Sequence, residues 1–498
     1  MERQVKLLML CGLTLLLTTG VRCRTAARRS DEGIPSYVGY KVLRVTSRSR
    51  EALSRTLRHF EKQQGDVWSH LPYSASVMFP REQVEEAIRI AKKEGLGISV
   101  ILDDVQRYLD ANHRKRHERR KRAATVDVTN SYLGLDEINA FLQNVTRSAS
   151  AADVISSTIG LSFEGRNTPV IEIRERNTKS SGTQKKAIII DAGIHAREWI
   201  APALALNIIN KLAFNPDNDP DVLDLLKKFD WIIAPVVNPD GYEYSRTNSG
   251  ARLWRKTRTS QYSESCKGVD ANRNFGFGWD PDVGGSREPC SDVFSGNIAF
   301  SEPEARNMRD WLQRNKGRAA AYLTLHSYGQ YVLYPYGTCD NRVADNKDIL
   351  EDLGKTFANA LGQKGRRYSV GNSCQVLYPA AGGSDDYAKG SLGIPVAYTI
   401  ELSPGEKNFF FGFDLPESEI ASTVADTWFG LKLMVQRLYQ LYSGSNSAGS
   451  QTPRTGSSAQ SASQTQLVPV VINGITYYFN SSDPNTQQWL TAYRSLSG

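Results

Sequence analysis

The 498-residue chain predicts an α/β protein preceded by a small α+β unit. Three observations carry this reading. Residues 123–442 alternate apolar, strand-like runs with helical segments. Each run ends in polar residues capable of chemistry, and sites in open α/β sheets form where strands end. Residues 24–110 hold shorter elements in a different order.

Taken from the start, Arg3 and Lys6 precede an apolar run from Leu7 to Leu17. That is the pattern of a secretory signal peptide, assigned to residues 1–23, with cleavage expected between Gly20 and Cys23. The alternative is a membrane anchor, but the run is short for a bilayer, and no other stretch approaches spanning length. Next, Lys41-Val42-Leu43-Arg44-Val45 alternates like a strand and 51–63 reads as a helix. Strand-like runs follow near 67–71 and 74–79. Pro80 then opens a helix carrying Val84, Ala87, Ile88 and Ala91 on one face, and 98–102 is a strand. The order β-α-β-β-α-β describes a ferredoxin-like open sandwich.

The basic run Arg114–Arg122 comes after it. Such a run is often plain solvated surface. Between two globular segments of a secreted chain it is read here as a proteolytic processing point after Arg122. In the large segment the apolar runs are 187–190, 231–237, 321–325 and 395–400. Residues 443–466 are rich in Ser, Gly, Thr and Gln and read as a linker. In 467–498, Asn473-Gly474 between apolar runs predicts a hairpin, and 485–495 a short helix. No function is read from this tail.

Composition narrows the class. At 40% hydrophobic and 23% charged, the chain is neither collagenous, nor wholly disordered, nor a multi-span membrane protein. The net charge of +8 sits at the front: residues 24–122 hold 22 Lys/Arg against 13 Asp/Glu, whereas 123–498 hold 36 against 39. The large segment therefore shows no nucleic-acid footprint. Cys266, Cys290, Cys339 and Cys374 form an even set in a secreted chain, which favours two disulfides over free thiols. Of three connectivities the sequential one is expected. Sequons at Asn144 and Asn480 suit glycosylation in the same compartment.

Of six histidines only His195 and His326 lie in the large segment, each read as just after a β-rich run. A lone histidine there is more often structural. Glu198, three residues after His195, makes a set of two nitrogens and one carboxylate, which suits zinc with one position left for water.

The surrounding motifs resemble the A/B-type zinc metallocarboxypeptidases, which are secreted as zymogens. Gly193-Ile194-His195-Ala196-Arg197-Glu198-Trp199, Asn238-Pro239-Asp240-Gly241-Tyr242 and Leu253-Trp254-Arg255-Lys256-Thr257-Arg258 come first. Gly268-Val269-Asp270-Ala271-Asn272-Arg273-Asn274-Phe275, His326-Ser327-Tyr328, Tyr378–Ser384 and Tyr398-Thr399-Ile400-Glu401-Leu402 follow in family order. The resemblance implies a mixed central sheet flanked by helices over 123–442, and it makes 24–122 an inhibitory activation prosegment freed by an activating protease. It implies one Zn2+ held by His195, Glu198 and His326, with Glu401 as general base and Arg255 as oxyanion stabiliser. Asn272, Arg273 and Tyr378 would clamp the terminal carboxylate of a peptide or protein substrate, with Arg197, Ser327 and Tyr328 along the same groove.

By the same resemblance Asp385 lies deep in the pocket for the departing side chain. An acid there marks a B-type enzyme releasing Lys or Arg; the alternative is an A-type enzyme releasing apolar or aromatic residues. Asp386 is read as structural, while Gly337 and Ser373 border the pocket without deciding between the types. Ser403-Pro404 departs from the Arg-Asp of many members and leaves the local loop geometry open. A catalytically inactive binding homologue is a further alternative, but such proteins usually lose a zinc ligand or the base, and this chain has both.

Overall fold

The computed structural model describes residues 28–29, 35–63, 65–71, 73–122, 126–176, 185–403, 412–448, 467–472 and 475–480. The signal segment and the helix expected at 485–495 lie outside them. Two units form, Met1–Tyr442 and Ser443–Gly498.

In the first unit β1 (Arg28–Arg29) pairs with β2 (Pro35–Ser36). A small antiparallel sheet follows: β3 (Lys41–Thr46), β4 (Asp66–Leu71), β5 (Ser74–Phe79) and β6 (Gly97–Leu102), in spatial order β4-β5-β3-β6. Helices α1 (Arg50–Lys62) and α2 (Arg81–Lys93) complete the expected β-α-β-β-α-β order. The Ser49 hydroxyl accepts from the Ala52 N–H at 3.2 Å and starts α1. Leu53, Leu57 and Phe60 of α1 and Ala87 of α2 bury against Val77 and Phe79. The next helix, α3 (Val105–Arg122), runs through the whole basic run.

The large sheet has eight strands: β7 (Ala152–Leu161), β8 (Asn167–Glu175), β9 (Ala187–Ala192), β10 (Asp230–Ala234), β11 (Ala319–Ser327), β12 (Tyr331–Tyr334), β13 (Ser369–Asn372) and β14 (Val396–Leu402). Their order is β13-β12-β14-β11-β9-β10-β8-β7. Strands β10, β9, β11 and β14 run parallel, while β8, β7 and β12 pair antiparallel, so the sheet is mixed. The helices are α4 (Leu135–Ser148), α5 (Ile200–Phe214), α6 (Pro220–Lys228), α7 (Pro239–Thr247), α8 (Pro303–Asn315), α9 (Lys347–Gly362), the short α10 (Ser373–Val376) and α11 (Ser384–Asp386), and α12 (Ile420–Ala448).

The unbroken apolar run of β9 follows from burial on both faces. Ile188 and Ile190 enter one core with Leu204 and Ile208 of α5 and Trp428 and Leu431 of α12. Ile189 enters the other, with Met308, Trp311 and Leu312 of α8. Each fully buried isoleucine contributes about 1.5–3 kcal/mol. Leu323 and Leu325 of β11 enter the first core and Tyr322 the second, so β11 is covered on both faces as well, and His326 and Glu401 lie near the carboxyl ends of β11 and β14.

Two expectations need adjustment. His326 lies inside β11 rather than after it, because that strand continues two residues past the apolar run, to Ser327. Helix α12 continues to Ala448, into the stretch read as linker, since extending a formed helix costs little per residue. In the second unit β15 (Leu467–Ile472) pairs antiparallel with β16 (Ile475–Asn480), Ile472 opposite Ile475. The disulfides are Cys266–Cys290 and Cys339–Cys374, the sequential pairing.

Candidate active site

Strand β9 ends at Ala192, and Gly193 turns the chain at φ +71°, a conformation suited to glycine. The turn presents His195 and Glu198, where the Glu198 N–H bonds the His195 carbonyl at 3.3 Å, and then enters α5. Across the sheet the parallel register of β11 and β14 sets His326 beside Glu401. Three segments far apart in sequence thus meet at one strand end.

His195, Glu198 and His326 are each at most 3% exposed, and one ligand atom from each lies within 4.8 Å of the others. Glu198 Oε1 is 2.7 Å from His195 Nδ1, and Glu198 Oε2 is 3.0 Å from His326 Nδ1. The two Nδ1 atoms face each other at 3.1 Å. The far nitrogen of His195, Nε2, meets Asp270 Oδ1 at 3.1 Å, which turns the Nδ1 lone pair inward. Two inward ring nitrogens and a carboxylate, buried and oriented this way, fit zinc.

Asp270 is the hub that sequence reading quoted but gave no role. It accepts from Arg255 Nε at 3.0 Å and Nη2 at 2.8 Å, and from the Asn272 N–H at 2.9 Å. Burial would raise its carboxyl, but Arg255 and His195 outweigh that and hold it well below the usual carboxylate range. The only signal for it was an acid two residues before Asn272-Arg273. Those two residues lie in a 3-10 turn, Ala271–Arg273, that Asp270 caps. Arg273 is fixed by its Nε on the Gly284 carbonyl at 2.7 Å and its Nη1 on the Asn272 carbonyl at 3.0 Å.

One cavity gathers the rest of the expected residues. His195, Arg197, Glu198, Arg255, Asn272, Arg273, His326, Ser327, Tyr328, Tyr378, Asp385 and Glu401 all line it, as do Gly337 and Ser373. Burial pushes the Glu401 carboxyl up to about 7; His326 opposes the rise and Glu198 adds to it. Asp385 is 6% exposed, and burial raises its carboxyl as well. Among the described residues no lysine or arginine pairs with it. Asp386 instead accepts the Gly337 N–H at 2.9 Å. Arg122 ends α3, Asn144 lies on α4, and Asn480 ends β16 of the second unit.

The cavity also takes residues that no motif indicated. Val67, Trp68, Ser69 and His70 of β4 line it together with the histidines. Asp66 accepts from Arg197 Nη1 at 2.9 Å, while a half-exposed Asp292 stands 3.5 Å from the same nitrogen. The His70 ring stacks on Tyr378 with centroids 6.2 Å apart, and the His70 carbonyl accepts from the Tyr331 hydroxyl. Nothing local in a short edge strand advertises such contacts.

Residues 138–430 match the family profile described as zinc carboxypeptidase. The chain belongs to that family. As a zinc carboxypeptidase it is a hydrolase of C-terminal peptide bonds. It is 41% identical over 319 residues to carboxypeptidase B of Astacus astacus, covering 63% of this chain and 99% of that protein. It is 36% identical to carboxypeptidase B of Helicoverpa zea (82% and 95% covered) and 35% to carboxypeptidase A2 of Rattus norvegicus (81% and 94%). The solved carboxypeptidase A from Helicoverpa armigera superposes with a TM-score of 0.72 at 29% identity, covering 81% of this chain and 98% of that one. Thrombin activatable fibrinolysis inhibitor gives 0.68 at 27%, covering 80% and 98%. No described helix is long and apolar enough to cross a membrane.

Proposed function

We propose that the chain is the secreted precursor of a B-type carboxypeptidase that releases C-terminal Lys or Arg. Asp385 carries this reading: a buried carboxylate lining the cavity, with no lysine or arginine paired to it among the described residues. A Lys or Arg side chain entering the pocket supplies the missing partner; Phe or Leu leaves the acid buried alone, at a cost of a few kcal/mol. Peptides differing only in a terminal Arg, Lys, Phe or Leu test it. Equal hydrolysis of terminal Phe and Arg would rule the B-type assignment out.

His195, Glu198 and His326 hold the zinc. When bound, it polarises the scissile carbonyl and makes water more acidic. Glu401 takes the proton of the attacking water and passes it to the leaving amine. Arg255, held by Asp270, faces the developing oxyanion with its charge already in place. Asn272, Arg273 and Tyr378 receive the terminal carboxylate, which restricts cleavage to the last residue. Arg197, Ser327 and Tyr328 line the groove for the preceding residues.

Residues 24–122 act as the prosegment. Strand β4 lies over the ligands, Asp66 occupies Arg197, and His70 covers Tyr378, so a substrate cannot reach the clamp while they stay. Cleavage after Arg122 then gives an active chain beginning at or near Ala123, which N-terminal sequencing of active material checks. Full activity from a chain retaining 24–122 would contradict it. The signal segment, the two disulfides and an exposed Asn144 agree with an extracellular, glycosylated protein.

A further inference from the structure

Alternate residues of a strand share a face, so Tyr322 and Thr324 of β11 stand in line behind His326. His326 lines the cavity, and the other two lie beneath it. Thr324 pairs with Asp191 of β9 and with Thr399 of β14, and its Oγ1 donates to Asp191 Oδ1 at 3.0 Å. Tyr322, two residues further back, enters the core with Ile189 and Ala397 of the same two strands. Packing there requires the ring alone, yet the ring carries a hydroxyl that is wholly buried.

That hydroxyl faces the Asp191 carboxylate and the Ser384 hydroxyl. Asp191 Oδ2, Tyr322 Oη and Ser384 Oγ have no other hydrogen-bond partner among the described residues, and their mutual contacts fall short of closed hydrogen bonds. Buried polar groups with nothing else to turn to satisfy one another. Ser384 begins α11, which packs on β11 and β14. Asp385 is the next residue; it lines the cavity and meets the Thr399 hydroxyl. A helix this short does not hold its own shape. Its far end is fastened by Asp386 on the Gly337 N–H and, on the π-helical turn Tyr387–Ser391 that follows, by Lys389 Nζ on Asp345 Oδ1 at 2.6 Å. Its near end meets Tyr322, on the strand that carries His326. The strand from Tyr322 to His326 spans about 13 Å, at roughly 3.3 Å per residue.

We infer that Tyr322 is a positioning residue for selectivity: between Asp191 and Ser384 it seats α11 on β11, and so sets the place of the Asp385 carboxylate relative to His326 and Glu401. The inference rests on the B-type reading above and adds what holds the acid on which that reading depends. A peptide clamped at its terminal carboxylate offers its last side chain at a fixed reach. Lys and Arg pair with Asp385 only when the carboxylate is held at that reach, whereas an apolar end makes no such demand. Removing the Tyr322 hydroxyl frees Ser384 and the acid beside it to shift, which weakens the binding of basic ends alone.

Tyr322→Phe tests this by removing the hydroxyl and keeping the ring. In the active enzyme it should raise KM for a peptide ending in Arg by about three- to tenfold with kcat unchanged, and leave kcat/KM for the same peptide ending in Leu within about twofold. Zinc content should equal that of the wild type. Ser384→Ala, at the other end of the contact, should act alike, and the double variant should lose no more than either single one. Equal losses on Arg and Leu ends would mark a merely structural residue and overturn the inference. So would an unchanged Arg preference in Tyr322→Phe, or a double variant in which the two losses add. A wild type that hydrolyses Arg and Leu ends equally would instead overturn the B-type reading, and that outcome is seen before any substitution is made.

Discussion

Glu401 and Glu304 are two buried carboxyls in different regions, both pushed upward by burial, to about 7 and about 8. Glu401 stands at the carboxyl end of β14, opposite His326, in a cavity shared with Arg255, Arg273 and Tyr378. Glu304 sits in the first turn of α8 against the outer strand β7, where Oε1 accepts the Phe163 N–H at 3.0 Å and Oε2 has no partner among the described residues. Nearby Glu302 and Asp240 raise it further. A displaced acid is thus no mark of catalysis by itself. What separates the two is convergence: an open cavity, a donor set and a fixed cation around one, and a closed helix-sheet contact around the other.

The widest separation should come from the metal set. A chelator should abolish hydrolysis and added zinc restore it, while His326→Ala should lose zinc in metal analysis, since only two protein ligands remain. Glu401→Gln should retain zinc yet lose turnover by roughly a thousandfold or more. Near-normal turnover would place the base elsewhere and erase the contrast with Glu304. Asp385→Ile, at the same cavity, should change selectivity rather than chemistry. The preference for terminal Arg over Leu should fall by about a hundredfold in kcat/KM, with activity on apolar ends kept.

Glu304→Gln gives the smallest effect on activity, within about twofold at pH 7. Its signature is in stability. Because the folded carboxyl titrates near 8 against an ordinary 4.5, its contribution is complete below about 4.5 and is lost as pH rises through 8. The variant should therefore lose less stability between pH 6 and 9 than the wild type, a difference of about 1–3 °C in Tm by calorimetry. A parallel pH dependence in both proteins would show that Glu304 titrates normally.

Most of the cavity was legible because its residues sit in short motifs with fixed internal spacing. His195 and Glu198 share one turn, Asn272 and Arg273 another, and Asp385 follows a glycine pair. The ferredoxin-like order was legible from alternation and from Pro80. What stayed hidden depends on docking between distant segments. Asp270 stood in a quoted motif, but its three partners converge only in the fold. Asp66, Trp68 and His70 lie in an edge strand whose sequence shows no periodic difference from its neighbour. The basic run read only as a processing point, yet Arg116 finds a carboxylate almost 300 residues later, at Asp414.

The bonds around Asp270 also bear on how the protein can diverge. One carboxylate contacts His195, Arg255 and the turn that carries Asn272 and Arg273, so a change in any of the three disturbs the others. Asp385 belongs to a separate short helix, joined to that hub through the Ser384 N–H on Asn272 Oδ1 at 3.0 Å. On the proposed reading the groups around Asp270 are inherited as one block, while the choice of departing side chain rests on a neighbouring position that selection can alter without rebuilding the rest.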